Sequence, residues 1–248
     1  MTVVVAAAPL QRRVLAQALL EVRLILSNGE QLLVALVLPV LLLVGLNSVT
    51  TPNLGAGRRI DLLAPGVLAL AVMSSAFTGQ AIATGFERQY GVLKRLGATP
   101  LPRGVLLAAK TLAVLTVELI QLALICLVGL ALGWEPHGNV PGLLALVALG
   151  TAAFSGLGLL LGGTLRGLTT LAAANLVWFV LLLLGGIIFP LSQFGGAEAA
   201  LRLLPSAALS DGLRTLLQQG DLVARDLLAL AGWAVVALVA AAKAFRWE

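Results

Sequence analysis

Charge is scarce in this 248-residue chain. Asp, Glu, Lys and Arg together make up 11% of it, where a soluble domain carries about 25%. Histidine and cysteine occur once each, as His137 and Cys126. One of each excludes a metal site built from His and Cys and also excludes an internal disulfide. The three lysines, Lys94, Lys110 and Lys243, follow Leu93, Ala109 and Ala242. No Gly-Lys-Ser/Thr sequence exists, so the chain has no phosphate-binding loop and any ATP hydrolysis belongs to another polypeptide. Serine occurs inside an apolar run in "FSGLG" (154–158). No apolar run holds a histidine to activate it, which excludes intramembrane serine proteolysis. The reading assigns no catalytic residue and no metal ligand.

Apolar residues fill the space that charge vacates. They make up 60% of the chain, and the mean hydropathy is +1.04. Several runs approach or exceed the roughly 20 apolar residues that cross a bilayer. Alternating apolar and polar positions are absent, so the spans are helices and not the strands of a barrel. The sequence predicts an all-α integral membrane protein in one domain, 1–248. Its six crossings fall at 31–49, 62–84, 104–132, 141–165, 168–190 and 227–243. Ahead of them, residues 9–28 place Leu10, Val14, Ala18, Val22 and Leu26 about four apart, interrupted by Arg12, Arg13, Glu21 and Arg23. That pattern predicts an amphipathic helix lying in the membrane interface. The N-terminal "MTVVVAAAPLQRR" is not a signal peptide, because its arginines follow a short apolar patch instead of preceding it.

The net charge of +5 does not point to nucleic acid, because the cations cluster at the ends of the apolar runs. With the N-terminus in the cytosol, the inner side receives eleven Lys and Arg. The outer side receives five: Arg58, Arg59, Arg202, Arg214 and Arg225. This bias places both termini inside. Residues 191–226, semi-apolar and punctuated by Pro205, are too short for two crossings and predict a re-entrant hairpin at the outer leaflet.

The densest charge lies in "FERQYGVLKRLGATPLPR" (86–103), which holds Glu87, Arg88, Lys94, Arg95 and Arg103. Residues 86–96 are compatible with one helix that Gly97 ends, and Thr99-Pro100 reads as the start of the next. A stiff cytosolic element with an apolar side exceeds what simple anchoring needs, and it fits a partner-docking role. Within the spans, Ser74, Ser75, Thr78, Gln80 and Thr84 form a polar stripe. Hydroxyls there either bond to their own helix or line a path. Glu118, with Gln121 one turn on, is a carboxyl that must face protein or water, or carry a proton. Asn175 and Trp178 suit a gate or a subunit contact. Gly158 and Gly162 offer small-xxx-small spacing for close helix packing.

The segment 86–103, with its Glu-Arg pair, Leu-Lys-Arg-Leu run and Ala-Thr-Pro, resembles the first cytoplasmic loop of the ABC-2 type permeases, the membrane subunits of ABC exporters. "EVRLILSNGEQLLVALVLPVLLLVG" is similar to the family's entry helix and first span. "GGIIFPLSQF" followed by "LLPSAALSDGLR" is similar to its fifth span and re-entrant segment. The resemblance implies a coupling helix at 86–98, through Phe86, Glu87, Arg88, Tyr90, Gly91, Leu93, Lys94, Arg95 and Leu96. This helix would dock on a separate ATP-binding subunit, present in two copies, which holds the ATP and Mg. The chain itself would bind no cofactor. A second permease subunit, identical or different, would complete a pathway lined by residues among Ser74, Thr78, Glu118, Gln121, Asn175 and Trp178. The setting implied is a bacterial inner membrane, in contact with its lipids. Low aromatic content, 5%, argues against stacking of sugar polymers and favours a lipophilic drug, antibiotic or lipid as cargo. Two other classes compete: a proton-coupled secondary transporter using Glu118, and a membrane scaffold that transports nothing.

Overall fold

The computed structural model describes residues 9–49, 58–99, 101–188 and 190–246, with the side chains of residues 30, 31 and 192 excepted. The N-terminal patch before Pro9 and the proline of Thr99-Pro100 lie outside the described residues. Among these residues there is no strand. The elements are α1 (Leu10–Ser27), α2 (Gly29–Ser48), α3 (Arg59–Met73), a π-helical turn (Ser74–Gly79), α4 (Gln80–Gln89), α5 (Val92–Gly97), α6 (Arg103–Ala131), α7 (Val140–Thr164) and α8 (Gly167–Leu184). A 3-10 turn (Leu191–Ala197) then leads to α9 (Glu198–Leu201), α10 (Pro205–Gln219) and α11 (Ala224–Ala244). Among the described residues five continuous helical stretches are long and apolar enough to cross a membrane, the first running from Arg59 to Gln89. The bent pair α1 and α2, at 69°, supplies a sixth crossing if counted as one. Helices satisfy every backbone donor internally, and that is what a solvent without hydrogen bonds demands.

The helices define two ends. One end gathers α5, the start of α6, the ends of α7 and α11, and α1. There Leu93, Leu106, Leu107, Leu159, Ala241 and Phe245 form a closed apolar cluster. The other end holds α10, whose Leu209, Leu213, Leu216 and Leu217 join the main core with Leu68, Leu146 and Ile187. Asn139 begins α7 by accepting the Gly142 N–H at 2.7 Å through its side chain, with Pro141 in the first turn.

Several boundaries differ from the sequence expectation, for local reasons. The second crossing runs on through Phe86–Gln89, so this half of the expected 86–96 helix belongs to α4. The break falls at Gly91, whose φ of 72° is left-handed and readily adopted only without a Cβ. Thr99 does not cap a following helix. Its hydroxyl donates back to the Leu96 carbonyl at 2.6 Å, and α6 begins after Pro102. The fifth crossing stops at Leu184 instead of residue 190, because Gly186 (φ 69°) turns the chain toward α10.

Candidate functional site

Two polar constructions stand out in this apolar molecule. The first lies at the α5 end. Lys110, about two turns into α6, is 3% exposed. Its ammonium donates to Glu21 Oε2 of α1 at 2.9 Å and to Glu87 Oε1 of α4 at 2.8 Å. Gln17 donates to the other Glu21 oxygen at 2.9 Å. Three elements distant in sequence thus meet at one cation. A buried charge in an apolar setting survives only when paired, and charge-assisted bonds are the strong ones. Arg88, the neighbour of Glu87, donates to the Gly163 and Leu165 carbonyls at the end of α7 (3.4 and 3.3 Å).

From this base the chain turns at Gly91 into α5. Leu93 is fully buried in the apolar cluster of that end. Tyr90 is 69% exposed, with its ring stacked on Phe86 at 6.0 Å. Val92, Lys94 and Arg95 are exposed and Leu96 is half-buried. The nine residues assigned to the coupling segment therefore divide by burial. Leu93 roots it and Glu87 and Arg88 brace it within the subunit. Tyr90, Lys94 and Arg95, with the neighbouring Val92, form its exposed face.

The second construction is a column of hydrogen bonds between helices. Trp178 Nε1 of α8 donates to Ser74 Oγ at 3.0 Å. Ser75 donates to Gln121 Oε1 at 3.1 Å, and Gln121 Nε2 donates to the Ala35 carbonyl of α2 at 2.5 Å. Gln80 donates to Ser155 Oγ at 2.6 Å, and Ser155 shares a 2.8 Å hydrogen bond with Thr111. Thr151 bonds to Glu118 Oε2 and to the Val147 carbonyl. Ser74 and Ser75 of the π turn and Gln80 of α4 carry this share, while the Thr78 hydroxyl, buried in the same turn, makes no hydrogen bond. This turn widens the helix where α6, α7 and α8 converge on it, as such turns often do at functional positions. Glu118 is fully buried between α6 and α7, and Gln121 is 1% exposed. Ser74 and Thr78 are half-buried. Asn175 stands apart, exposed on α8 among Leu176, Phe179 and Val180.

At the opposite end Arg214 of α10, nearly buried, donates to the Gly186 carbonyl and, at 2.7 Å, to the Ile187 carbonyl. Ser210 donates to the Gly185 carbonyl at 2.8 Å. Burial pushes the Arg214 guanidinium down to about 10, so it stays cationic at neutral pH on the carbonyl end of α8, where a cation is favoured.

The loop, Glu118, Gln121 and Trp178 were singled out from the sequence, and the structure places the last three in the polar column. Sequence reasoning missed the joining of Glu21 and Glu87 through Lys110, and the part played by Thr111 and Thr151. One signal was available: the chain has only eleven acids, and two of them fall in otherwise basic segments. Among the described residues no group of three or more His, Cys, Asp or Glu could hold a metal ion.

Comparison with curated proteins found no match. A family model described as ABC-2 family transporter protein matches residues 44–243, most of the chain and all of the crossings from α3 onward. The α4–α5 segment, the polar column and the helix ends described above all fall within or beside that span. Such permeases associate with an ABC ATP-binding subunit, and the apolar helices make this one a multi-pass membrane protein. The chain belongs to the ABC-2 family of transporters, as a permease subunit.

Proposed function

We propose that this permease is the membrane half of an ATP-driven exporter, with the α5 end in the cytosol and α5 as the element that a separate ATPase subunit grips. The observation that carries this reading is the build of the segment. Leu93 is sealed into the apolar cluster while Tyr90, Val92, Lys94 and Arg95 are left outside. A loop that served only as a cationic anchor would need no rooted leucine and no helical turn. A short helix with a locked base can pass on a push, and a flexible loop would absorb it. The excess of Lys and Arg at this end supports the orientation, and both termini then lie in the cytosol of a bacterial-type inner membrane.

Two ATPase copies and two permeases complete the assembly. Asn175 supports a second permease: a mid-span amide on an otherwise apolar face is costly against lipid and is satisfied against protein. The pathway would run between the two permeases, and the cargo class is a lipophilic drug, antibiotic or lipid moved outward. The rival, a proton-coupled carrier built on Glu118, has less support. Its carboxyl is enclosed between α6 and α7, its bonded partner is Thr151, and Lys110 is engaged elsewhere.

The test is co-purification with the cognate ATPase. Changing Tyr90 and Val92 together to Asp alters only exposed positions, so the crossings should insert as before. We expect the ATPase to be lost. Retained binding at wild-type levels would sink the docking assignment.

A further inference from the structure

The triad at Lys110 has a geometry that a static brace would not require. We infer that Glu21, Lys110 and Glu87 form the joint through which motion of the α4–α5 segment reaches α1, and through α1 the first crossing. The inference rests on the reading of α5 as the docking element.

Apart from the triad, α1 lies along α6 on a narrow strip of largely apolar contact. Only Ala18 and Glu21 of its eighteen residues are buried. Leu15, Leu19, Leu20 and Leu24 are exposed. An apolar contact between helices has no direction and lets them slide. An ammonium shared by two carboxylates in an apolar site resists separation, because parting the charges leaves each unpaired where water cannot compensate. Lys110 bonds to Glu87 on one side, only four residues before the turn at Gly91, and to Glu21 on the other. A displacement of α5 therefore draws on α1 before it draws on the apolar contacts around it. Beyond Ser27 the chain bends into α2, which Gln121 of the same α6 holds at Ala35. Between the two polar attachments the bend at Asn28 is the place for α1 to pivot. Lys110, Glu21 and Glu87 are positioning residues in this scheme, and none of them touches cargo or nucleotide.

The experiment uses the full chain in lipid nanodiscs with its docked ATPase, in a Cys126→Ser background. Nitroxide pairs are placed at Gln11→Cys with Ala98→Cys, and at Ala98→Cys with Glu135→Cys, all exposed positions. Distances are read by pulsed electron resonance with and without vanadate-trapped Mg·ATP. With the triad intact, nucleotide should shift the 98–135 distance and leave the 11–98 distance unchanged, because α1 and α5 move as one body. In E21Q/K110M/E87Q the 98–135 shift and ATPase co-purification should persist, while the 11–98 distance now shifts. The full charge swap E21K/K110E/E87K should restore the fixed distance, which a merely space-filling role would not achieve. If the neutral variant fails to accumulate, K110E/E87K keeps the α4–α6 pair, sets Glu21 against a carboxylate, and should release α1 alone. An 11–98 distance that stays fixed in the neutral or half-swapped variant overturns the joint and leaves docking intact. Failure of the ATPase to co-purify with the intact chain removes docking, and the joint falls with it.

Discussion

Replacing Gly162 by Ala tests the close approach of α7 to the backbone of the second crossing. A Cβ there would lie 2.5 Å from the Ala81 carbonyl oxygen and 2.9 Å from Thr84 Cβ. At Gly158 it would lie 2.6 Å from the Phe77 carbonyl oxygen. Ordinary contact begins near 3.4 Å, so each methyl is short by most of an ångström. The atoms it meets belong to the backbone of the π turn and α4, and no rotamer change can move them aside. α7 must back away from the second crossing, and overpacking of this kind costs about 1–3 kcal/mol. Alanine's better helix propensity returns about 1 kcal/mol. The net expectation is a loss of up to roughly 2 kcal/mol per site. The sites lie one turn apart on one face, so the double variant will not be additive. Gly232 of α11 is the control. It also sits inside a helix, and nothing lies within 4 Å of its added Cβ. Gly232→Ala should gain up to about 1 kcal/mol, the opposite sign. Thermal unfolding of the purified protein in one detergent reads both, at roughly 2–4 °C per kcal/mol for a chain of this size. If Gly162→Ala raises the midpoint as Gly232→Ala does, the α4–α7 approach is not as close as drawn and the reasoning fails.

The remaining predictions concern the polar groups. Lys110→Met strands two carboxylates and should cost about 3–5 kcal/mol, whereas E21Q/K110M/E87Q, with no charge left, should melt near the wild type; the same thermal assay separates them. Glu118→Gln preserves shape and a partner for Thr151, so its midpoint should stay within about 1 kcal/mol of wild type, while Glu118→Ala opens a cavity and should lose roughly 2 kcal/mol or more. Arg214→Met removes two charge-assisted bonds to the end of α8 and should cost roughly 2–3 kcal/mol, with faster hydrogen exchange around residues 185–188 as the local sign. A single cysteine at Tyr90, in the Cys126→Ser background, should react with an impermeant maleimide only in inside-out vesicles, and one at Glu135 only in right-side-out cells. The reverse pattern would invert the orientation proposed above.

Composition alone determined the class of this protein. With so little charge and runs of apolar residues this long, the backbone must satisfy itself, and helices that cross a membrane are the one arrangement such a sequence can adopt. Most helix ends were legible to within a few residues, because apolar runs tend to end where charge, proline or glycine begins; the second crossing, which runs on through Glu87 and Arg88, and the fifth, which stops at Leu184, depart from that rule. The segment 86–98 was legible as a charge anomaly, and Gly158 and Gly162 as a packing face. Which side of each helix looks inward was not legible. Crossings apolar on every side have no hydrophobic period to read, so the burial of Glu118 and Gln121 and the exposure of Asn175 were left to packing. The same holds for the segment 86–98: sequence saw a helix with an apolar stripe, but the left-handed turn at Gly91 decided that Leu93 points in and Tyr90 out. The meeting of Glu21, Lys110 and Glu87, separated by up to 89 positions, belongs to tertiary structure entirely. An ion pair between distant helices depends on where their axes cross, and no local pattern encodes that.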